Sequence, residues 1–86
     1  MKKITLFHFE SCPFCQYARR WVDQALEENP ALRALEIELI DERLCPAVAR
    51  QYDYWLVPTF YVDGCKVHEG VCTKEKVCKI LEMAAE

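Results

Sequence analysis

Between Phe9 and Phe14 the spacing of apolar residues changes, and this change constrains the fold more than any other feature of the chain. Residues 3–9 read Lys-Ile-Thr-Leu-Phe-His-Phe, dense in β-branched and aromatic types, which predicts a strand. After a break at Glu10-Ser11-Cys12-Pro13, the apolar positions Phe14, Ala18, Trp21, Val22, Ala25 and Leu26 recur at three- and four-residue steps. That is the period of a helix with one buried face. Pro13 suits the first helical turn, where a missing N–H costs nothing, and Asn29-Pro30 ends the helix.

A short connection leads to residues 34–40, where Leu35, Ile37 and Leu39 alternate with Glu36 and Glu38. The pattern predicts a strand with one wet face, as at a sheet edge. Cys45-Pro46 opens a short helix reaching to about Tyr52, with Val48 and Ala49 turned inward. Pro58 interrupts the next segment and Thr59 to Val62 resumes as a strand. Asp63-Gly64 between two strand-like runs signals a hairpin, with residues 65–69 returning. Gly70 breaks that strand, and Thr73 caps a last helix whose Val77, Ile80, Leu81 and Ala84 form one stripe. The order β-α-β-α-β-β-α predicts an α/β fold. The first strand–helix–strand unit is a right-handed parallel crossover and the last two strands are antiparallel. The result is a mixed four-stranded sheet flanked by three helices, and residues 1–86 make a single domain.

Composition excludes several classes of function. With 52% hydrophobic residues, two Gly and four Pro, the chain packs a core and is neither disordered nor of low complexity. A net charge of −3 provides no basic face for nucleic acid. No apolar run approaches the roughly 18–20 residues that span a bilayer. Met1-Lys2-Lys3 leads straight into a strand pattern rather than a signal-peptide core. The expectation is a cytoplasmic monomer without membrane or nucleic-acid partners. Six cysteines in 86 residues would suggest a disulfide framework in a secreted chain. In a reducing compartment they are instead catalytic, metal-binding or small buried hydrophobes.

Cys12-Pro13-Phe14-Cys15 carries the chemistry because it lies where the strand gives way to the helix. The first N–H groups of a helix are unpaired, and its dipole puts partial positive charge there. Cysteines in such places ionise at pKa values of about 3.5–7.5, against about 8.5 unperturbed. Cys12, at the helix mouth, is the expected nucleophile. Cys15, about one turn further in, is placed to resolve a mixed disulfide at Cys12. Zinc sites share the spacing but need two further ligands, for which Cys72, Cys78, His8 and His68 are the candidates. No second Cys-x-x-Cys exists, and the strand–helix–strand context is the redox one.

The Cys-Pro-Phe-Cys motif after the first strand, Leu56-Val57-Pro58-Thr59 before the hairpin, and Gly70-Val71-Cys72-Thr73 before the last helix together resemble the thioredoxin superfamily. The resemblance covers effectively the whole chain and points to its short glutaredoxin-like thioredoxins. It implies a thiol–disulfide oxidoreductase that reduces protein or mixed disulfides by dithiol exchange. Cys12 is then the attacking thiolate, Cys15 the resolving thiol, Pro58 a cis-proline beside them, and Val57 a backbone partner for substrate. Pro13, Phe14, Gly70, Cys72 and Thr73 complete the implied substrate-binding set. No metal or organic cofactor is required, and the partners are disulfide-containing proteins. Glutaredoxins usually carry Cys-Pro-Tyr-Cys, a basic residue just before it, and a Gly-Gly-x-Asp segment before the last helix. Here His8, Phe9, Glu10 and Ser11 precede the motif, and the later segment has no Asp, so two charged contacts to glutathione are missing. The electron donor stays open between a thioredoxin reductase-like enzyme and glutathione. The buried Asp and the Trp before the first Cys of larger thioredoxins are also absent, replaced by Leu6 and Phe7 and by Ser11. The alternative is a non-enzymatic module of the same fold that binds zinc or an iron–sulfur cluster through its cysteines.

Other residues carry plainer expectations. Cys72 reads first as a small space-filling residue and second as a thiol in contact with substrate. Cys45, Cys65 and Cys78 read as ordinary reduced thiols. Trp55 reads equally as a loop-packing residue or as part of an apolar rim where partners dock. Trp21 belongs to the core and Tyr17 to the exposed side of the helix. His8 is expected to face solvent, with an interaction with Cys12 from the strand end as the sharper alternative; Arg19 and Arg20 are expected to form a solvated helix face, with added positive potential near Cys12 from one of them as the sharper alternative.

Overall fold

In a computed structural model describing residues 1–86, the chain forms one four-stranded sheet covered on both faces. The strands are β1 (Ile4–His8), β2 (Ile37–Asp41), β3 (Thr59–Val62) and β4 (Cys65–Glu69). The helices are α1 (Pro13–Glu28), α2 (Pro46–Ala49) and α3 (Lys74–Ala85). The strand order is β2-β1-β3-β4, with β1 parallel to β2, antiparallel to β3, and β3 antiparallel to β4. This is the expected mixed α/β sheet, with β2 at an edge.

Alternation along the strands assigns the two faces. Ile4 and Leu6 of β1, with Phe60 and Val62 of β3, meet the buried stripes of α1 (Ala18, Val22, Ala25) and α3 (Val77, Ile80, Leu81, Ala84). Phe7 and Tyr61 turn the other way, against Ile40, Ala49 and the half-buried Tyr52, Tyr54 and Val57. The hairpin turn is as expected: Asp63 (φ +48°) and Gly64 (φ +81°) occupy the left-handed region that a two-residue turn matching the sheet's twist requires. Thr73 caps α3, its hydroxyl accepting from the Lys76 N–H at 3.1 Å.

Several expectations are corrected. The connection after α1 holds a 3-10 turn over Pro30–Ala34, so β2 begins at Ile37 rather than at residue 34. Helix α2 stops at Ala49 instead of reaching Tyr52, whose ring packs 4.7 Å from that of Phe7 and 5.0 Å from that of Tyr61. Within α2 only Ala49 is buried, and Val48 is exposed. Trp21 is half-buried, packing against the core with its ring stacked 5.8 Å from Tyr17. His8 is buried rather than solvent-facing. As the last residue of a central strand, on the same face as Leu6, it meets α1, and Arg19 Nη1 lies 2.8 Å from its Nδ1. A guanidinium has no acceptor, so His8 accepts that bond as a neutral ring protonated on Nε2. Burial, then the Arg19 charge, lowers its pKa and keeps it neutral.

Candidate active site

Helix α1 begins where β1 ends, so Cys12 is delivered to the C-terminal end of the sheet. It is the N-cap residue, with extended backbone (φ −75°, ψ 114°), and its own N–H is held by the Phe9 carbonyl at 3.2 Å. Its sulfur accepts the Cys15 N–H at 3.2 Å, taking up one of the orphan donors at the helix start. Pro13, the first helical residue, has no N–H to offer.

The two cysteines differ in access. Cys12 is 5% exposed and Cys15 is 0% exposed, so a substrate sulfur reaches the first before the second. Burial pushes the Cys15 thiol up to about 12, and hydrogen bonding with the Cys12 side chain adds to the rise. A backbone contact at Phe9 and the Arg19 charge act the other way. The pair therefore rests with a protonated thiol at Cys15. All six cysteines are unpaired in this structure.

Two further segments come to the same end of the sheet. The antiparallel register pairs Phe7 with Thr59, which brings Pro58 alongside the end of β1, close in sequence to Cys12. The Val57–Pro58 bond is cis, and Pro58 is fully buried. Gly70 lies against this loop: its N–H donates to the Pro58 carbonyl at 2.8 Å. Its φ of +91° is open to glycine, and a Cβ there would sit 3.4 Å from Leu56 Cδ1. Val71 and Cys72 then line a mostly apolar groove of about 220 Å³ with Phe14, Tyr17 and Trp21. Cys72 is buried within the main core cluster, and burial raises its thiol to about 11. Thr73 spends its hydroxyl on the α3 cap, and Val57 is half-buried on the opposite face of the sheet. Cys45 and Cys65 are exposed and Cys78 is half-buried on the α3 flank.

Some participants escape a reading of the sequence. Arg43, from the β2–α2 connection, stacks over the Phe9 ring with its guanidinium carbon 3.7 Å from the centroid. This sets a cation beside the motif that its sequence neighbours lack. Leu56 and Val71 are 61% and 63% exposed, which leaves two apolar side chains presented next to the loop and groove. No group of three His, Cys, Asp or Glu side chains converges in a way that could hold a metal ion.

Known proteins supply the remaining observation. Over 80 residues, which are 93% of this chain and 92% of the relative, the sequence is 34% identical to thioredoxin from Methanocaldococcus jannaschii. The chain belongs to the thioredoxin family. It is thereby a member of a family of thiol–disulfide oxidoreductases. Solved thioredoxin structures share the fold. An oxidised thioredoxin from Plasmodium falciparum superposes with a TM-score of 0.75 at 18% identity, over 99% of this chain and 82% of that one. A mutant thioredoxin from Halobacterium salinarum NRC-1 gives 0.72 at 24% identity, over 99% and 75%. No protein-family model matches the chain. No helix is long and apolar enough to cross a membrane.

Proposed function

We propose that this thioredoxin-family chain reduces disulfides of proteins by dithiol exchange through Cys12 and Cys15. The observation that carries the proposal is the geometry at the helix start. Cys12 caps α1 and accepts the Cys15 N–H, while Cys15 lies one turn deeper with no exposed surface.

The Cys12 thiolate attacks one sulfur of a substrate disulfide. A Cys12–substrate disulfide forms, the substrate S–S bond breaks, and the other substrate sulfur leaves as a thiolate that takes a proton from water. Cys15 then loses its proton and attacks the Cys12 sulfur. The second substrate thiolate departs and the Cys12–Cys15 disulfide remains. The substrate gains two electrons and the chain loses two. A reducing partner, a reductase of the thioredoxin reductase kind or a thiol such as glutathione, restores the dithiol. Burial holds the Cys15 thiol up to about 12 and its hydrogen bond with Cys12 adds to the rise, so loss of that bond in the mixed disulfide relieves the lesser of these two causes.

The exposed apolar surface suits partner docking: Phe14, Val71 and Leu56 lie around the motif, and Trp55 is 90% exposed. Val57, beside Pro58, offers backbone groups against which an extended substrate segment lies.

Trapping tests the proposal. Cys12→Ser abolishes reduction of insulin disulfides, whereas Cys15→Ser accumulates a covalent, dithiothreitol-sensitive complex with the substrate. Equal loss in both variants with no trapped complex contradicts the assigned roles. Regeneration by glutathione with its reductase, compared with regeneration by a thioredoxin reductase, identifies the electron donor.

A further inference from the structure

The loop before Pro58 has no sheet partner, so its backbone N–H groups must find acceptors elsewhere or face water. Two consecutive amides converge on one side chain. The N–H groups of Trp55 and Leu56 both donate to Oε2 of Glu69, at 2.5 and 3.0 Å. The other carboxylate oxygen accepts from Lys66 Nζ at 2.8 Å. These bonds hold the Glu69 carboxyl down to about 2, so it is charged throughout the neutral range. The far half of the loop is tied separately: the Thr59 hydroxyl donates to the Leu56 carbonyl, and the Gly70 N–H to that of Pro58. Held in this way, the loop turns Trp55 and Leu56 outward at 90% and 61% exposure.

We propose that Glu69 is a positioning residue for partner docking: its carboxylate clamps the backbone of Trp55 and Leu56 in the conformation that receives a protein disulfide. It touches neither reacting sulfur. This inference rests on the reductase reading above and adds to it the device that sets affinity for large substrates. A small disulfide needs only the dithiol, whereas a protein needs the loop, so the clamp acts on KM for proteins alone. Without Glu69 the two amides turn to water, the loop samples many shapes, and docking must order it again.

Insulin and hydroxyethyl disulfide, offered to the full chain with dithiothreitol as the reductant, separate these roles. Hydrogen bonds to a charged group carry enough energy that Glu69→Ala is expected to raise KM for insulin about tenfold with kcat unchanged. Turnover of hydroxyethyl disulfide stays at the wild-type level, and the Trp55 and Leu56 amides exchange faster with solvent. Glu69→Gln retains an oxygen for those amides and recovers most of the insulin KM. Lys66→Met removes the ion pair and the bond from Lys66 Nζ to the Asp53 carbonyl (3.2 Å) but leaves both amide bonds, and shifts KM less than Glu69→Ala. If the alanine variant fails to fold, Lys66→Met decides the matter by the same split, its smaller rise in KM confined to insulin. Loss of amide protection with no change in insulin KM overturns the inference, as does an equal fall for both substrates. A wild-type chain inert toward both disulfides overturns the reductase reading instead.

Discussion

The two faces of the sheet are built from different material. Under α1 and α3 lies a mainly aliphatic cluster of 14 buried residues; on the α2 side the buried hydrophobic cluster is four residues, Phe7, Ile40, Ala49 and Tyr61, with aromatic rings closing over them. The first face holds its helices by interdigitation, which leaves Cys15 and Ala18 with no exposed surface. The second holds an irregular segment by a few directed contacts. The Tyr61 hydroxyl donates to the Asp53 carbonyl at 2.6 Å, the Tyr54 hydroxyl to Glu42 at 2.8 Å, and Phe7 stacks 4.8 Å from Tyr54. The sulfurs are therefore mounted on the densely packed half, and the loop leading to Pro58 on the thinner one. Chemistry needs fixed sulfurs, whereas a docking loop can be set and tuned by single hydrogen bonds.

Five measurements break or sharpen this contrast. Leu81→Ala, in the aliphatic cluster, is expected to cost about 2–5 kcal/mol in denaturant unfolding, since the interdigitated face closes only partly over a cavity. Thr73→Ala removes the cap that starts α3 on the same face, and should cost about 1 kcal/mol in the same assay. On the opposite side, Tyr61→Phe removes one hydroxyl bond and should cost about 0.5–1.5 kcal/mol. A loss there as large as for Leu81→Ala would mean that the aromatic side carries equal weight, and the contrast would fail.

A pH dependence is also expected on the aliphatic side. Cys15 and Cys72 have thiols raised to about 12 and about 11, chiefly by burial, while unfolded cysteine ionises near 8.5. Folded-state pKa values above the unfolded one mean stability that is intact below about pH 8.5 and lost as pH climbs through 11–12. Unfolding midpoints measured between pH 8 and 10.5 should fall, and a Cys72→Ala variant should flatten the slope. Glu69 works in the opposite sense on the loop. Its carboxyl is depressed to about 2, so the clamp persists below pH 4 and opens only as pH falls through about 2. Exchange protection of the Trp55 and Leu56 amides reads this directly.

Much of the architecture was legible in the residues. Strands β3 and β4 and helix α3 begin and end where Pro58, Asp63-Gly64, Gly70 and Thr73 place them, because these residues act through their own backbone geometry. The motif was equally legible, since a strand running into a helix puts Cys12 at the cap whatever surrounds it. The errors lie where a neighbour distant in sequence decides. His8 looked like a wet strand residue, yet β1 is paired on both edges and covered on both faces, so even Thr5 and His8 are buried. Helix α2 stops early because Tyr52 joins the rings of Phe7 and Tyr61. The part played by Glu69 depends on amides 13 and 14 residues away, and nothing in the local pattern of β4 marks it.

Periodicity and punctuation, read from the amino acids alone, determine the order of elements, the hairpin and the placing of two cysteines one helical turn apart, because each depends on short-range sterics. Only the folded sheet decides which thiol is reachable, which histidine is neutral and what steadies the loop before Pro58. Those properties come from burial and from hydrogen bonds between segments, and neither exists until the strands have paired.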